Sequence, residues 1–211
     1  MHVRRSSYDA LSRWYDLLAN GSERRLRQQG LEMLSPRVGE AILEIGPGTG
    51  HALLALSRFV GGSASVLGLD LSVGMLRVAQ SRVRRAGLAA RVALLHADAA
   101  DLPLVAHCLD AVFMSFTLEL FDAPDAALVL SECQRVLRHG GRVCVVAMAE
   151  GSRAGLVARL YAWAHRTFPA CIDCRPIRVR ETLTWAGLQV VEWVKTSTWG
   201  LPVEIVLARR A

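Results

Sequence analysis

A chain of 211 residues that is 52% hydrophobic and 6% aromatic can bury a full core and is too apolar for a disordered tail. Its net charge of +6 does not by itself make it a nucleic-acid binder, because Lys195 is the only lysine and the arginines fall in small groups: Arg4-Arg5, Arg24-Arg25-Arg27, Arg82-Arg84-Arg85 and Arg209-Arg210. These groups read as solvated helix faces and chain ends, or as attraction to an anionic surface such as phospholipid headgroups or RNA. No uncharged apolar run reaches the roughly 18 residues of a membrane span, and Met1 to Ser6 lacks an apolar signal core, so a cytoplasmic protein is expected.

In chain order, Tyr8 to Asn20 and Ser22 to Leu34 read as two amphipathic helices. Ala41 to Gly46 then reads as a strand that runs into Gly46-Pro47-Gly48-Thr49-Gly50, with a helix predicted near 50–60. Glycines two residues apart in a strand-to-helix turn supply positive φ and leave room where a ligand touches the backbone. The helix opening behind them offers N–H groups and a positive dipole end to a carboxylate or phosphate. Glu44, just before the glycines, argues against a polyphosphate and suits a ligand with an amino group. A carboxylate and an ammonium together describe an amino acid, or a cofactor built on one. The dinucleotide pattern G-x-G-x-x-G fails at His51, and no Gly-Lys-Ser/Thr exists for a P-loop.

Further strands are predicted near 64–70, 91–96, 109–115 and 141–148, with helices near 72–86 and 124–138. Ser65 to Asp70 ends in an acid about 24 residues after Gly46, able to accept both hydroxyls of an adenosine ribose. Ser72 can cap the next helix, and Met75 can lie against the adenosine. Asp98 follows the third strand; Asp70 and Asp98 could equally be helix caps or loop anchors. His139-Gly140-Gly141 is expected to close the helix before the fifth strand. Cys108, Cys133 and Cys144 fall in predicted sheet or helix interiors, as small buried hydrophobes.

After the fifth strand the rhythm changes. Gly151 to Phe168 and Pro176 to Ala186 read as helices, Leu188 to Ser197 and Pro202 to Ala208 as strands. The four residues joining those strands are too few for a parallel crossover, so an antiparallel hairpin is expected. Cys171-Ile172-Asp173-Cys174 has no second Cys/His pair beside it, so no metal is expected. Arg175 can instead offer a guanidinium to an anionic group of a substrate. Trp163, Phe168, Trp185, Trp193 and Trp199 are either core or the walls of an apolar pocket.

With E-x-G-x-G-x-G at Glu44 to Gly50 and acids at Asp70 and Asp98, the chain resembles the class I S-adenosylmethionine-dependent methyltransferases. The resemblance covers nearly all of it and implies an α/β fold, a doubly wound Rossmann-like seven-stranded sheet that is mostly parallel with a C-terminal antiparallel hairpin and helices on both faces. It implies one domain over 1–211, with 1–36 as a helical cap and 151–186 as a helical insertion at the acceptor site. It implies S-adenosyl-L-methionine as cofactor, bound by Glu44, Gly46, Gly48, Gly50, Asp70, Leu71, Met75, Asp98, Ala99 and Ser115. In the resembled family the acid matching Asp98 takes the adenine amino group, and the backbone N–H at Ala99 meets a ring nitrogen.

Residues 114–121 line the acceptor site in that family. The absence of a proline between Pro103 and Pro124 counts against base amines of DNA or RNA. This segment and the leading helices resemble the quinone-biosynthesis and phosphatidylethanolamine branch, which implies a small or lipid-like acceptor, with contact to a membrane surface as an option. Glu119 is the candidate base, or else a helix cap or surface carboxylate. Tyr8 and Tyr15 are candidates for a lid over the sulfonium, or are packing residues. Phe116, Trp163 and Arg175 are the candidate acceptor contacts. A non-catalytic or NAD-type adenosine-cofactor binder, and an RNA-directed methyltransferase, remain alternatives.

Overall fold

The computed structural model describes residues 20–61, 65–150, 176–198 and 200–211. Its elements are α1 (Asn20–Leu34), β1 (Ile42–Ile45), α2 (His51–Val60), β2 (Val66–Asp70), α3 (Val73–Arg85), β3 (Val92–His96) and β4 (Leu109–Ser115). A 3₁₀ turn (Leu118–Leu120), α4 (Ala123–Val136), β5 (Leu137–Met148), α5 (Val179–Trp185), β6 (Gln189–Thr198) and β7 (Leu201–Arg209) complete them.

The seven strands form one sheet in the order β3-β2-β1-β4-β5-β7-β6. Every pairing from β3 to β5 is parallel, and β7 runs antiparallel to both β5 and β6. The chain winds outward from β1 through β2 to β3, then starts again at β4 and winds the other way. The helices that follow β1 and β4 therefore lie on opposite faces of the sheet, and parallel sheets bind ligands at the carboxyl ends of their strands at such a switch point.

Side chains alternate along each central strand, so both faces of β1 and β4 are buried. Leu43, Ile45, Val112 and Met114 pack with Val129, Leu130 and Cys133 of α4 and Leu183 of α5. Ile42 and Phe113 point to the other face, against Leu26 and Leu34 of α1 and Leu53 and Leu56 of α2. Gly30 explains how α1 gets so near: a Cβ there would run into Val146 and Phe113, and its carbonyl accepts from Cys144 Sγ at 3.3 Å. The end of α1 is tied to β5 by Arg142, whose buried guanidinium donates to the Leu34 and Ser35 carbonyls and to both oxygens of Glu40.

Three expectations need correction. The helix before β5 is not closed by His139-Gly140-Gly141. It ends at Val136, and Leu137 is already extended and paired with Leu109. Leu137 is fully buried, so core packing wins over the glycine turn, which lies inside β5 with Gly140 at φ +72°. Cys108 is half-buried in the loop ahead of β4, not in a sheet interior. Trp185 and Trp193 are exposed, so neither is core. Trp193 sits on the outer strand β6, where the Arg180 guanidinium lies 3.7 Å over its ring. The predicted helix over 8–20, apart from Asn20 at the start of α1, the predicted helix over 151–168 and the Cys171/Cys174 pair lie outside the described residues, as do Tyr8, Tyr15, Trp163, Phe168, Arg175 and Trp199.

Candidate cofactor and acceptor site

The loop between β1 and α2 alternates left-handed residues: Gly46 at φ +66°, Gly48 at +51° and Gly50 at +84°. The three glycines do different work. A Cβ on Gly46 would lie 2.5 Å from both Cγ2 and Oγ1 of Thr117, so this glycine lets the loops after β1 and β4 touch. A Cβ on Gly50 would lie 3.0 Å from that of Ala79, so it lets α2 begin against α3. A Cβ on Gly48 would meet nothing within 4 Å. Among the described residues, Gly48 alone of the three faces open space, where a ligand laid against this loop could meet its backbone. Behind it α2 starts at Gly50, which has no side chain to cap it; Glu44 takes the Leu53 N–H of the first turn, and the helix end adds its positive dipole to the loop.

Three acids stand at the ends of three adjacent strands. Glu44 on β1 is buried on the α1–α2 side, and burial pushes its carboxyl up to about 8, partly offset by Arg27 on α1 and the Leu53 N–H. One of its oxygens, Oε2, is buried with no hydrogen-bond partner among the described residues. Such an atom is costly unless something else satisfies it, and an ammonium group would. Asp70 ends β2; burial raises its pKa, against hydrogen bonds from the Ser72 and Gly48 N–H groups. The Ser72 contact is 2.8 Å, and Ser72 Oγ in turn caps α3 by accepting from the Met75 N–H at 3.2 Å. Asp98 after β3 is exposed, its Oδ1 accepting from the Ala100 N–H at 2.9 Å, while Ala99 is buried. Leu71 is exposed and Met75 half-buried beside Asp70.

Across the crevice, β4 ends at Ser115, whose buried Oγ also lacks a partner among the described residues. Phe116 is half-buried at φ +54°, a strained conformation for an aromatic residue, held by its N–H donating to the Val146 carbonyl at 2.7 Å. Glu119 in the 3₁₀ turn is fully buried and is no surface carboxylate. Its Oε1 accepts from the Met148 N–H at 3.2 Å, which ties the loop after β4 to the end of β5. Its Oε2 is unpartnered among the described residues, and burial lifts its pKa to about 7.

The fold thus brings Glu44, the glycines, Asp70, Leu71, Met75, Asp98, Ala99, Ser115, Phe116 and Glu119 to the carboxyl end of the sheet, on both sides of its switch point. An amino-acid-bearing nucleoside fits this donor set. A helix N-terminus stands ready for its carboxylate, a carboxylate oxygen unpartnered among the described residues for its ammonium, and Asp70 for its ribose hydroxyls. Sequence reasoning missed Thr117, and it read Arg27 and Arg82 as members of solvated groups. Thr117 shows no sequence signal, since its part depends on two loops 71 residues apart meeting; Thr117 Oγ1 lies 3.4 Å from the Gly46 carbonyl.

The methyltransferase-domain family matches residues 42–141, the span from β1 into β5. A demethylmenaquinone methyltransferase of Porphyromonas gingivalis is 31% identical over 142 residues, 67% of this chain and 56% of that protein. The ubiquinone/menaquinone biosynthesis C-methyltransferase UbiE of Azotobacter vinelandii is 32% identical over 160 residues, 76% of this chain and 61% of that protein. The chain thus spans less than two thirds of the length of these relatives. Among solved structures, a SAM-dependent methyltransferase from Aquifex aeolicus superposes over 100% of both chains with TM-score 0.69 at 22% identity. A geranyl diphosphate C-methyltransferase from Streptomyces coelicolor shares the fold with TM-score 0.71 at 15% identity, covering 90% of this chain and 81% of that one. With the glycine loop, the three acids and the strand order all in place, residues 42–141 match a methyltransferase domain, and the chain has the Rossmann-like fold of the S-adenosylmethionine-dependent methyltransferases it is similar to.

Proposed function

We propose that this chain transfers a methyl group from S-adenosyl-L-methionine to a small, lipophilic acceptor: a quinol, a phenol or a phospholipid amine. The observation that carries the reading is the unpartnered, buried Glu44 oxygen beside the open cradle at Gly48. The acceptor class draws on the relatives named for ubiquinone and menaquinone biosynthesis and on an apolar site mouth, where Phe116 is half-buried and Leu71, Val73 and Leu120 are exposed. The test is methyl transfer to reduced quinones and phenols, run beside phospholipid vesicles and tRNA. Transfer to tRNA alone removes the lipophilic reading.

The bound cofactor supplies an activated methyl group with its own leaving group. The chain's residues have to hold, align and shield. Glu44 and the start of α2 anchor the amino-acid end, Asp70 the ribose, and Asp98 with the Ala99 N–H the adenine. Phe116 and the following turn present the acceptor, and Glu119 takes its proton when the acceptor is a hydroxyl.

Two expected results follow for the cofactor half. Asp70→Ala removes the acceptor of two ribose hydroxyls and should weaken S-adenosylhomocysteine binding by on the order of 1–3 kcal/mol. Calorimetry reads this directly, and unchanged affinity contradicts the ribose assignment. The second is proton release. Glu44 holds its proton up to about pH 8 in the free protein, and an incoming ammonium favours the carboxylate. Affinity should rise as pH rises towards 8 and then level off, with a proton released at pH 7 that Glu44→Gln abolishes. The same heat in buffers of different ionisation enthalpy would remove Glu44 from the site.

A further inference from the structure

We infer that Arg82 is a positioning residue of the glycine loop and sets affinity for the amino-acid end of the cofactor; the inference rests on the S-adenosylmethionine reading above. Arg82 Nη1 donates to the carbonyl of Thr49 at 2.6 Å, a charge-assisted bond across 33 residues of sequence. Thr49 lies between Gly48, the open cradle, and Gly50, the N-cap of α2. One turn earlier on α3, and on the same face, Ala79 receives Gly50 so closely that a Cβ there would lie 3.0 Å from its own. Ala79 and Arg82 therefore grip adjacent residues of the loop from one helix.

That helix is capped by Ser72, whose N–H is bound to Asp70. The amino-acid end of the cradle and its ribose end are thus fastened to the same element. The guanidinium adds to the loop's turn bond, Gly50 N–H to Pro47 carbonyl at 2.8 Å, and to its contacts with Leu69, Asp70 and Thr117, in holding the three left-handed glycines. Glycine is the residue with most backbone freedom to lose, so each lost restraint widens the range of loop shapes. A guanidinium beside the start of α2 is also at the wrong end of that helix for helix stability. There it raises the positive potential that a ligand carboxylate would meet. Arg84 and Arg85, by contrast, are exposed, so the grouping in sequence conceals one residue with a different task.

The test compares two ligands on the wild-type protein and on Arg82→Met, Arg82→Gln and Arg82→Lys. S-adenosylhomocysteine carries the amino-acid end, and 5′-methylthioadenosine lacks it. Arg82→Met and Arg82→Gln should weaken S-adenosylhomocysteine binding by about tenfold or more, the scale of one hydrogen bond from a charged group. Methylthioadenosine affinity should change by no more than about twofold, and Arg82→Lys should recover part of the loss. Equal losses for both ligands, or none for either, overturn the inference, since a merely structural arginine does not discriminate between them. If Arg82→Met melts before it can be titrated, Arg82→Gln and Arg82→Lys carry the same comparison. Failure of the wild-type protein to bind either ligand counts against the cofactor reading itself.

Discussion

Gly48→Val is expected to weaken S-adenosylhomocysteine binding by on the order of a hundredfold or more, about 2.7 kcal/mol, while the protein stays folded. The position is left-handed at φ +51°, so a side chain there costs roughly 1–3 kcal/mol of strain. None of the described residues lies within 4 Å of the new Cβ, so valine displaces none of their atoms and fills the space where the cofactor is proposed to lie. Gly46→Ala, two residues earlier, should do the reverse. Its Cβ would arrive 2.5 Å from Thr117, in a left-handed position, so the loops after β1 and β4 must part. Strain and overpacking there should together cost about 2–5 kcal/mol of stability. Thermal melts and ligand titration of the two variants therefore give opposite patterns. Wild-type affinity in a folded Gly48→Val protein would defeat the assignment of the cradle.

The second large effect belongs to Glu119. Removing a general base typically lowers turnover by about 10²–10⁴-fold, and Glu119→Gln should do so on a phenolic or quinol acceptor with S-adenosylhomocysteine affinity nearly unchanged. Because burial places the Glu119 pKa at about 7, wild-type turnover should climb with pH up to that value and then flatten. The variant should lose that limb. Stability moves the other way. In the native state Glu119 keeps its proton over a range where the unfolded chain, with its ordinary value of 4.5, has released it. The native state binds the extra proton, so this group's contribution makes the protein less stable as pH rises from about 4.5 through 7. Glu44 extends the same trend to about 8. Glu119→Gln should flatten its share of that decline whether or not it is catalytic, so the two readouts separate a base from a buried structural acid. Full turnover at every pH in Glu119→Gln leaves only the structural role, the bond to the Met148 N–H.

The central strands and the glycine loop were legible because local pattern and tertiary role agree there. An apolar run, three alternating glycines and an acid at each strand end are all short-range features, and the strands fall within a few residues of their predicted limits. The antiparallel hairpin of β6 and β7 was legible for a similar reason, since loop length alone excludes a crossover. The end of α4 was not. Gly140 and Gly141 signal a helix stop, yet the decisive contact is Leu137 against Leu109, 28 residues away. Trp193 is not core, because β6 is an edge strand whose side chains are mostly exposed, while aromatic content alone suggests burial. Arg82 was hidden among neighbours of the same kind, and only the approach of α3 to the glycine loop singles it out. Glu119 could be placed at a strand end from sequence, but its complete enclosure depends on where β5 finishes.

The most direct measurement is calorimetric titration of the wild-type protein at pH 7 with S-adenosylhomocysteine and, separately, with NAD. The account predicts saturable binding of S-adenosylhomocysteine with release of a proton from Glu44, and no saturation with NAD. Saturation by NAD with none by S-adenosylhomocysteine would contradict it, because the open cradle at Gly48 and the unpartnered Glu44 oxygen would then serve a different ligand.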